Sequence, residues 1–328
     1  MSNPSPPGAP LRKRWILSKR SGVVKSMSLA TASPARNGGG TVKTRHESPA
    51  AIAPTISGGP FRGNPRPCRP AGSEARIHRL VLRKFIAAGV PYEFGREVIA
   101  GWAALSCRGL PASQAASVLD VGCGEGADLL AVRQSLDPHP VRLCGLDSSA
   151  HHVRTLGAKG VETRLVDVEK DPFPFPDGAF DLVIANQVLE HAKEIFWILS
   201  EISRVLKKGG HLLVGVPNLA ALHNRLFLLA GKQPVCLRNF GPHVRGFTAG
   251  DLRALLHANG VFTVLDVKGS HVHPFPPAVG RLLARAFPGL STSVFLRARR
   301  NDVPHLFGAL LESIRLETNF YRGPGVAP

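Results

Sequence analysis

A chain of 328 residues with 44% hydrophobic content is long enough to bury a substantial core, and no apolar run in it approaches the roughly 18–20 residues that a membrane span needs. Its five cysteines, Cys68, Cys107, Cys123, Cys144 and Cys236, form no CxxC pair and keep no metal-ligand spacing with histidine, which argues against a disulfide framework or a metal centre and fits a reducing cytoplasm. The net charge of +18 is unevenly spread: residues 1–72 hold 12 of the 41 Lys and Arg but one of the 23 acids, a net +11, which leaves +7 for the remainder.

That first segment is broken by Pro and Gly in "PSPPGAP", "NGGG" and "SGGPFRGNPRPCRPAG" and carries almost no periodic apolar pattern, so burial cannot offset its ordering entropy. It is expected to be a disordered basic tail. Beside the plain reading of a solvated extension, three explanations stand: an arm for nucleic acid or another anionic surface, an Arg- and Ser-rich organelle presequence, or a start codon assigned too early, with Met27 as a later candidate. The continuous apolar core of a secretory signal is missing. Residues 73–300 read as one folded domain and 301–328 as a C-terminal helix and tail.

From Glu74 onward the spacing predicts two helical pieces, Ile77, Leu80, Val81 and Phe85 in the first and Val98, Ile99, Trp102 and Leu105 in the second, separated by Gly89 and Pro91. Strands and helices then alternate: strand "SVLDVG", helix from about Glu125 to Gln134, strand "RLCGLD", helix near "AHHVRTLGAKG", strand "ETRLVD", a Pro-rich turn, strand "AFDLVIANQ", helix "EIFWILSEISRVLKKGG" and strand "HLLVGVP". Lys207 and Lys208 sit in the expected last turn of that helix, with Gly209 as its cap. A long insert follows Pro217. Helix "FTAGDLRALLHANG" comes next, with Thr248 and Asp251 at capping-box spacing, then strands "FTVLDVKG" and "SVFLRARR" around a helix near "AVGRLLARAF". Seven strands alternating with helices imply an α/β fold, a Rossmann-like seven-stranded mostly parallel sheet covered on both faces.

In such a sheet ligands bind at the C-terminal ends of the strands, where "SVLDVGCGEGADLL" places Gly122, Gly124 and Gly126. Without GxxxxGK[ST] a P-loop is excluded; the GxGxxA parse, ending at Ala127, allows a dinucleotide such as NAD. Asp147 closes the second strand 21 residues after Gly126, where a carboxylate accepts ribose hydroxyls. The wider pattern decides between the adenosine ligands. "VLDVGCGEG", "GLD", "VD" and "FPDGAFDLVIANQVLEH", in order over residues 115–265, resemble the class I S-adenosylmethionine (SAM) methyltransferases, nearest to the small-molecule group called methyltransferase type 11, with its ubiquinone-biosynthesis-like and methionine-biosynthesis-like members.

The resemblance implies SAM as cofactor. It places Asp120, Gly122, Gly124 and Gly126 on the methionine and ribose side, where exposed loop N–H groups meet the carboxylate, and Asp147 on the ribose. Leu146 and Ser148 then border the adenine, Asp167 and Val168 receive its amino edge, and Asn186 faces the methyl-donor end. Asp167 also has a plain alternative as a strand-end turn residue.

Methyl transfer from a sulfonium requires alignment of the nucleophile and, for a hydroxyl, removal of its proton, with no metal required. The candidate bases are His191, after the fourth strand, and His243, in the insert, ahead of His223; Arg225 and Arg245 stand ready for an acidic or phosphorylated substrate. "ANQVLEH" lacks the D/N-P-P-Y run of amino-directed nucleic-acid enzymes, and the Pro-Cys pair, Pro67 and Cys68, lies in the tail, so a small-molecule acceptor is expected rather than nucleic acid. Oxygen is the expected acceptor atom, on a quinone precursor, glycan or lipid-linked intermediate. An accessory SAM-binding protein without turnover is the alternative, and an NAD enzyme a remote third. The oligomeric state stays open.

Overall fold

The computed structural model describes residues 95–239, 241–303 and 307. The expected tail of residues 1–72, the first helical piece before Gly95 and the helix expected from Leu306 to Ile314 lie outside the described residues, Phe307 apart.

Helix α1 (Arg96–Cys107) leads into β1 (Ala116–Val121), α2 (Ala127–Leu136), β2 (Val141–Asp147), α3 (Ala150–Gly157), β3 (Glu162–Leu165) and β4 (Phe180–Asn186). Then come α4 (Ile195–Val205), β5 (Leu206–Pro217), α5 (Leu222–Leu229), α6 (Ala249–His257), β6 (Phe262–Gly269), α7 (Pro277–Ala286) and β7 (Ser293–Arg300). The strands form one seven-stranded sheet in the order β3-β2-β1-β4-β5-β7-β6, parallel except for β7, which runs against both neighbours. The mostly parallel α/β fold expected from the alternation is the fold observed.

Each central strand feeds two cores because its side chains alternate between faces. Val118, Leu182, Ile184 and Leu213 pack on one side with Ile99 and Trp102 of α1, Leu129 and Val132 of α2 and Leu156 of α3. Leu119, Val183, Ala185, Leu212 and Val214 pack on the other with Ile198, Leu199 and Ile202 of α4 and Leu252 and Leu256 of α6. The Thr248 hydroxyl starts α6 by accepting the Asp251 N–H at 3.1 Å, as its spacing predicts.

One boundary differs from the sequence reading. Helix α4 stops at Val205 and "LKKGG" belongs to β5, so Lys207 and Lys208 are not its last turn. Leu206 pairs with Phe180, the register then jumps to His211 opposite Leu182, and the residues between form a bulge. Lys207 Nζ reaches Asp181 at 2.7 Å, and Gly209 supplies the left-handed turn at φ 78°. A glycine that reads as a helix cap serves here as a bulge glycine.

Candidate active site

The sheet order reverses between β2-β1 and β1-β4, so the crevice opens beside the C-terminal end of β1. The three loop glycines all lie at positive φ there, 72° at Gly122, 50° at Gly124 and 80° at Gly126, yet they serve different ends. A Cβ on Gly122 would come within 2.8 Å of Val188 in the turn after β4, and one on Gly126 within 2.2 Å of the buried Leu156. A Cβ on Gly124 would meet nothing within 4 Å. Gly122 and Gly126 thus bring elements together, and Gly124 leaves space.

The loop amides are already engaged. Gly122 and Cys123 donate to the Leu146 carbonyl at 2.8 and 2.9 Å, Gly126 to Cys123 O, and Gly124 to Asp147 Oδ2 at 2.8 Å. The expectation that these N–H groups meet a ligand carboxylate is therefore corrected: at 122, 123, 124 and 126 they hold the loop's own shape. Asp147 is the hub. Its Oδ1 also accepts the Ser149 N–H at 2.8 Å and faces His152 Nδ1 at 3.2 Å.

Acid dominates the electrostatics. Asp120 is 3% exposed, and burial, reinforced by the neighbouring Asp128 and Asp147 charges, holds its carboxyl well above the usual carboxylate range. Burial also raises Asp128, against the hydrogen bond it accepts from Asn186 Nδ2 at 2.8 Å and the Arg96 guanidinium at 3.6 Å. The raised pKa values of Asp120 and Asp128 lower the charge that the cluster carries, so it lines the loop with carboxyl oxygens more than with fixed negative charge. Gln187, at φ 59°, adds a buried side-chain Nε2 that has no hydrogen-bond partner.

The other expected cofactor residues are placed as follows. Leu146 is fully buried, its side chain in the core and its carbonyl holding the loop. Ser148 is exposed and Val168 packs partly buried against the core. Asp167 behaves as the turn residue its alternative reading described: it accepts the Glu169 N–H at 3.1 Å and pairs with Lys170 at 2.6 Å, which lowers its pKa.

Beyond β4 the chain turns through Val188–His191, and the insert folds over it. Val244 and Arg245 donate their N–H groups to the Glu190 carbonyl at 2.9 and 3.2 Å, and the Arg245 guanidinium reaches the carbonyls of Ala192 and Lys193 at 3.1 and 2.7 Å. This stapling puts the His191 and His243 rings 4.7 Å apart. Each ring donates Nδ1–H to a backbone carbonyl, His191 to Pro242 at 3.3 Å and His243 to Cys236 at 2.9 Å, since a carbonyl oxygen can only accept. In the neutral form of each ring the lone pair then falls on Nε2. Glu190 lies beside them, 1% exposed, with neither carboxylate oxygen hydrogen-bonded, and burial pushes its pKa up to about 7.

His223 does not join this pair. It faces His273 at 5.6 Å between ring centroids, and burial, with His273 and His271 nearby, lowers its pKa to about 4. Arg225 donates to Ala220 O at 2.7 Å, and Arg245 serves as the staple described above. Asp128, His152 and Glu190 are site residues that the sequence reading missed. Glu190 had a signal in its position next to His191, and Asp128 had one in its place in the first turn after the glycines.

A sequence model described as a methyltransferase domain matches residues 94–266, more than half of the chain. The chain belongs to the methyltransferase-domain family. The glycine loop follows β1 and its Gly124 N–H donates to Asp147 at the end of β2. A probable S-adenosylmethionine-dependent methyltransferase of Mycolicibacterium smegmatis is 34% identical over 154 residues, 46% of this chain and 54% of that protein. An uncharacterized 37.1 kDa protein in a transposon of Streptomyces fradiae is 36% identical over 118 residues, 34% of this chain and 33% of the other. The chain thus spans about a third to a half of the length of these curated relatives. A solved structure of a SAM-dependent methyltransferase from Archaeoglobus fulgidus aligns with 68% of this chain and 100% of its own, at 16% identity and a TM-score of 0.42. Among the described residues no helix is long and apolar enough to cross a membrane.

Proposed function

We propose that this protein is a SAM-dependent methyltransferase, its domain spanning residues 73–300, that methylates an oxygen of a small-molecule acceptor such as a quinone precursor, a glycan or a lipid-linked intermediate. The observation that carries the reading is the acidic glycine loop. SAM presents an ammonium and two ribose hydroxyls as hydrogen-bond donors, and Asp120, Asp128 and Asp147 surround the loop with carboxyl oxygens, whereas the pyrophosphate of NAD brings no donor to them. Family membership and the name of the Mycolicibacterium relative support the same ligand.

Gly124 leaves room for the ligand against the backbone, Asp147 keeps lone pairs for ribose hydroxyls beyond those its loop partners use, and Asn186 borders the donor end with Asp128. Ser148, Asp167 and Val168 take the adenine side. When bound, SAM supplies a methyl group already activated by the positive sulfur. The chain's own task is then to align the acceptor and take its proton. His191 and His243 present two Nε2 lone pairs from the lobe stapled over the end of β4, and Val188, packed on Gly122, joins this lobe to the cofactor loop. The four free cysteines among the described residues, Cys107, Cys123, Cys144 and Cys236, accord with a cytoplasmic setting.

The test is transfer of labelled methyl from SAM to a panel of phenols, sugars and prenylated alcohols by the full chain. Turnover on one class that falls ~10²–10⁴-fold in His191→Ala or His243→Ala, at unchanged S-adenosylhomocysteine affinity, is expected. Tight S-adenosylhomocysteine binding with no turnover on any acceptor would favour an accessory protein instead.

A further inference from the structure

Among the described residues, one group of metal-ligating side chains comes together: Glu190, His191 and His243, each offering a ligand atom within 4.8 Å of those of the other two. Among the described residues nothing donates a hydrogen bond to the Glu190 carboxylate. Glu190 is nine-tenths buried and more, its carboxylate oxygens have no donor, and Oε1 faces His191 Nε2 at 3.9 Å. A buried polar group without a partner costs about 1–3 kcal/mol, so an orphaned carboxylate facing two imidazole nitrogens points to a missing positive partner.

We propose that Glu190, His191 and His243 bind a divalent transition-metal ion of the zinc type.

The donor set is two imidazole nitrogens and one carboxylate, which suits zinc and its neighbours and not magnesium or calcium, which take oxygen ligands. The orientation is already made. Pro242 O and Cys236 O each hold an Nδ1–H, so the two Nε2 atoms are the free ligands, the arrangement in which a second hydrogen bond fixes the tautomer of a metal-bound histidine. A tetrahedral ion with bonds of ~2.1 Å sets its ligand atoms ~3.4 Å apart, so the His191–Glu190 pair at 3.9 Å needs to close by about half an ångström and the pairs with His243, within 4.8 Å, by up to ~1.4 Å. His191 is half-exposed and free to make that movement. The Glu190 carbonyl, holding Val244 and Arg245, keeps the two loops in place while it does.

Three protein ligands leave one position of a tetrahedral ion open, the composition of a catalytic rather than a structural site. The use of that position rests on the methyltransferase reading: an acceptor oxygen bound there becomes more acidic and sheds its proton to solvent, and the histidines then serve the reaction as ligands. The empty-handed carboxylate also explains why a glutamate, in addition to the two histidines, is buried at this spot.

The experiment is titration of chelator-treated full chain with Co2+, read by visible absorption and calorimetry, in parallel with S-adenosylhomocysteine titration of the same samples. One Co2+ per chain, displaced by Zn2+ and weakened by more than the ~10–100-fold that outer-shell changes cost in Glu190→Gln and in His243→Ala, with S-adenosylhomocysteine affinity kept, is expected. Glu190→Gln removes a buried charge without changing shape, and His191→Ala at the half-exposed position provides a further variant that the core tolerates. A wild-type chain that takes up no Co2+, or variants that bind it as well as wild type, would overturn the proposal while S-adenosylhomocysteine binding upheld the methyltransferase reading. Co2+ uptake that depends on all three residues, in a chain that ignores S-adenosylhomocysteine, would uphold the metal site and sink that reading.

Discussion

Gly126→Ala and Gly124→Ala separate the packing role of one glycine from the binding role proposed for the other. Both residues lie at positive φ, 80° and 50°, where an L side chain costs ~1–2 kcal/mol. At Gly126 the added methyl also lands 2.2 Å from Leu156 Cδ1 and 3.0 Å from its Cδ2, in a fully buried core cluster that pins α3 to β1 and α2. Overpacking of that kind costs ~1–3 kcal/mol, so Gly126→Ala should lose ~2–5 kcal/mol in all. At Gly124 the methyl meets open space and only the backbone term remains. Urea unfolding should therefore show a large drop in midpoint for Gly126→Ala and a small one for Gly124→Ala. Calorimetry should show at least a tenfold loss of S-adenosylhomocysteine affinity in Gly124→Ala, ~1.4 kcal/mol, because the methyl occupies the space left for ligand. Equal destabilisation of the two variants, or undiminished affinity in Gly124→Ala, would refute this division of roles.

Arg204→Ala should cost ~3–5 kcal/mol in urea unfolding, because the guanidinium pairs with the buried Glu201 at 2.6 Å and also holds the carbonyls of Phe173 and Phe175; Arg204→Met with Glu201→Gln should recover much of the loss. His223 is held near pKa 4 against an ordinary 6.5, so the unfolded chain binds its proton more readily. Its contribution is complete above pH 6.5 and is lost as pH falls from there toward 4, by at most ~3 kcal/mol, and His223→Gln should flatten that decline in thermal unfolding against pH. Thr248→Ala removes the hydroxyl that starts α6 and should cost ~1 kcal/mol without changing ligand binding.

Local patterns made most of the framework legible before any coordinates. Alternating apolar strands, amphipathic helices and the glycine cluster are short-range signals, and they marked the seven strands of the sheet. The end of α4 was misread because "KKGG" has the composition of a helix C-terminus; the pairing of Leu206 with Phe180 and of Lys207 with Asp181 is tertiary and overrides it. The same limit hid the Glu190–His191–His243 group. Residues 191 and 243 are brought together by hydrogen bonds between two loops, and the burial that leaves Glu190 without a donor exists only after those loops close.

The most direct test of the central reading is calorimetric titration of the full chain with S-adenosylhomocysteine and, separately, with NADH, repeated on Asp147→Ala. The acidic loop around Asp120, Asp128 and Asp147 should admit S-adenosylhomocysteine with micromolar affinity, refuse NADH, and lose the bound ligand in the variant, which removes the acceptor for Gly124 N–H and Ser149 N–H together with the ribose contact. NADH binding with no response to S-adenosylhomocysteine would contradict it, leaving the fold intact and the ligand wrong.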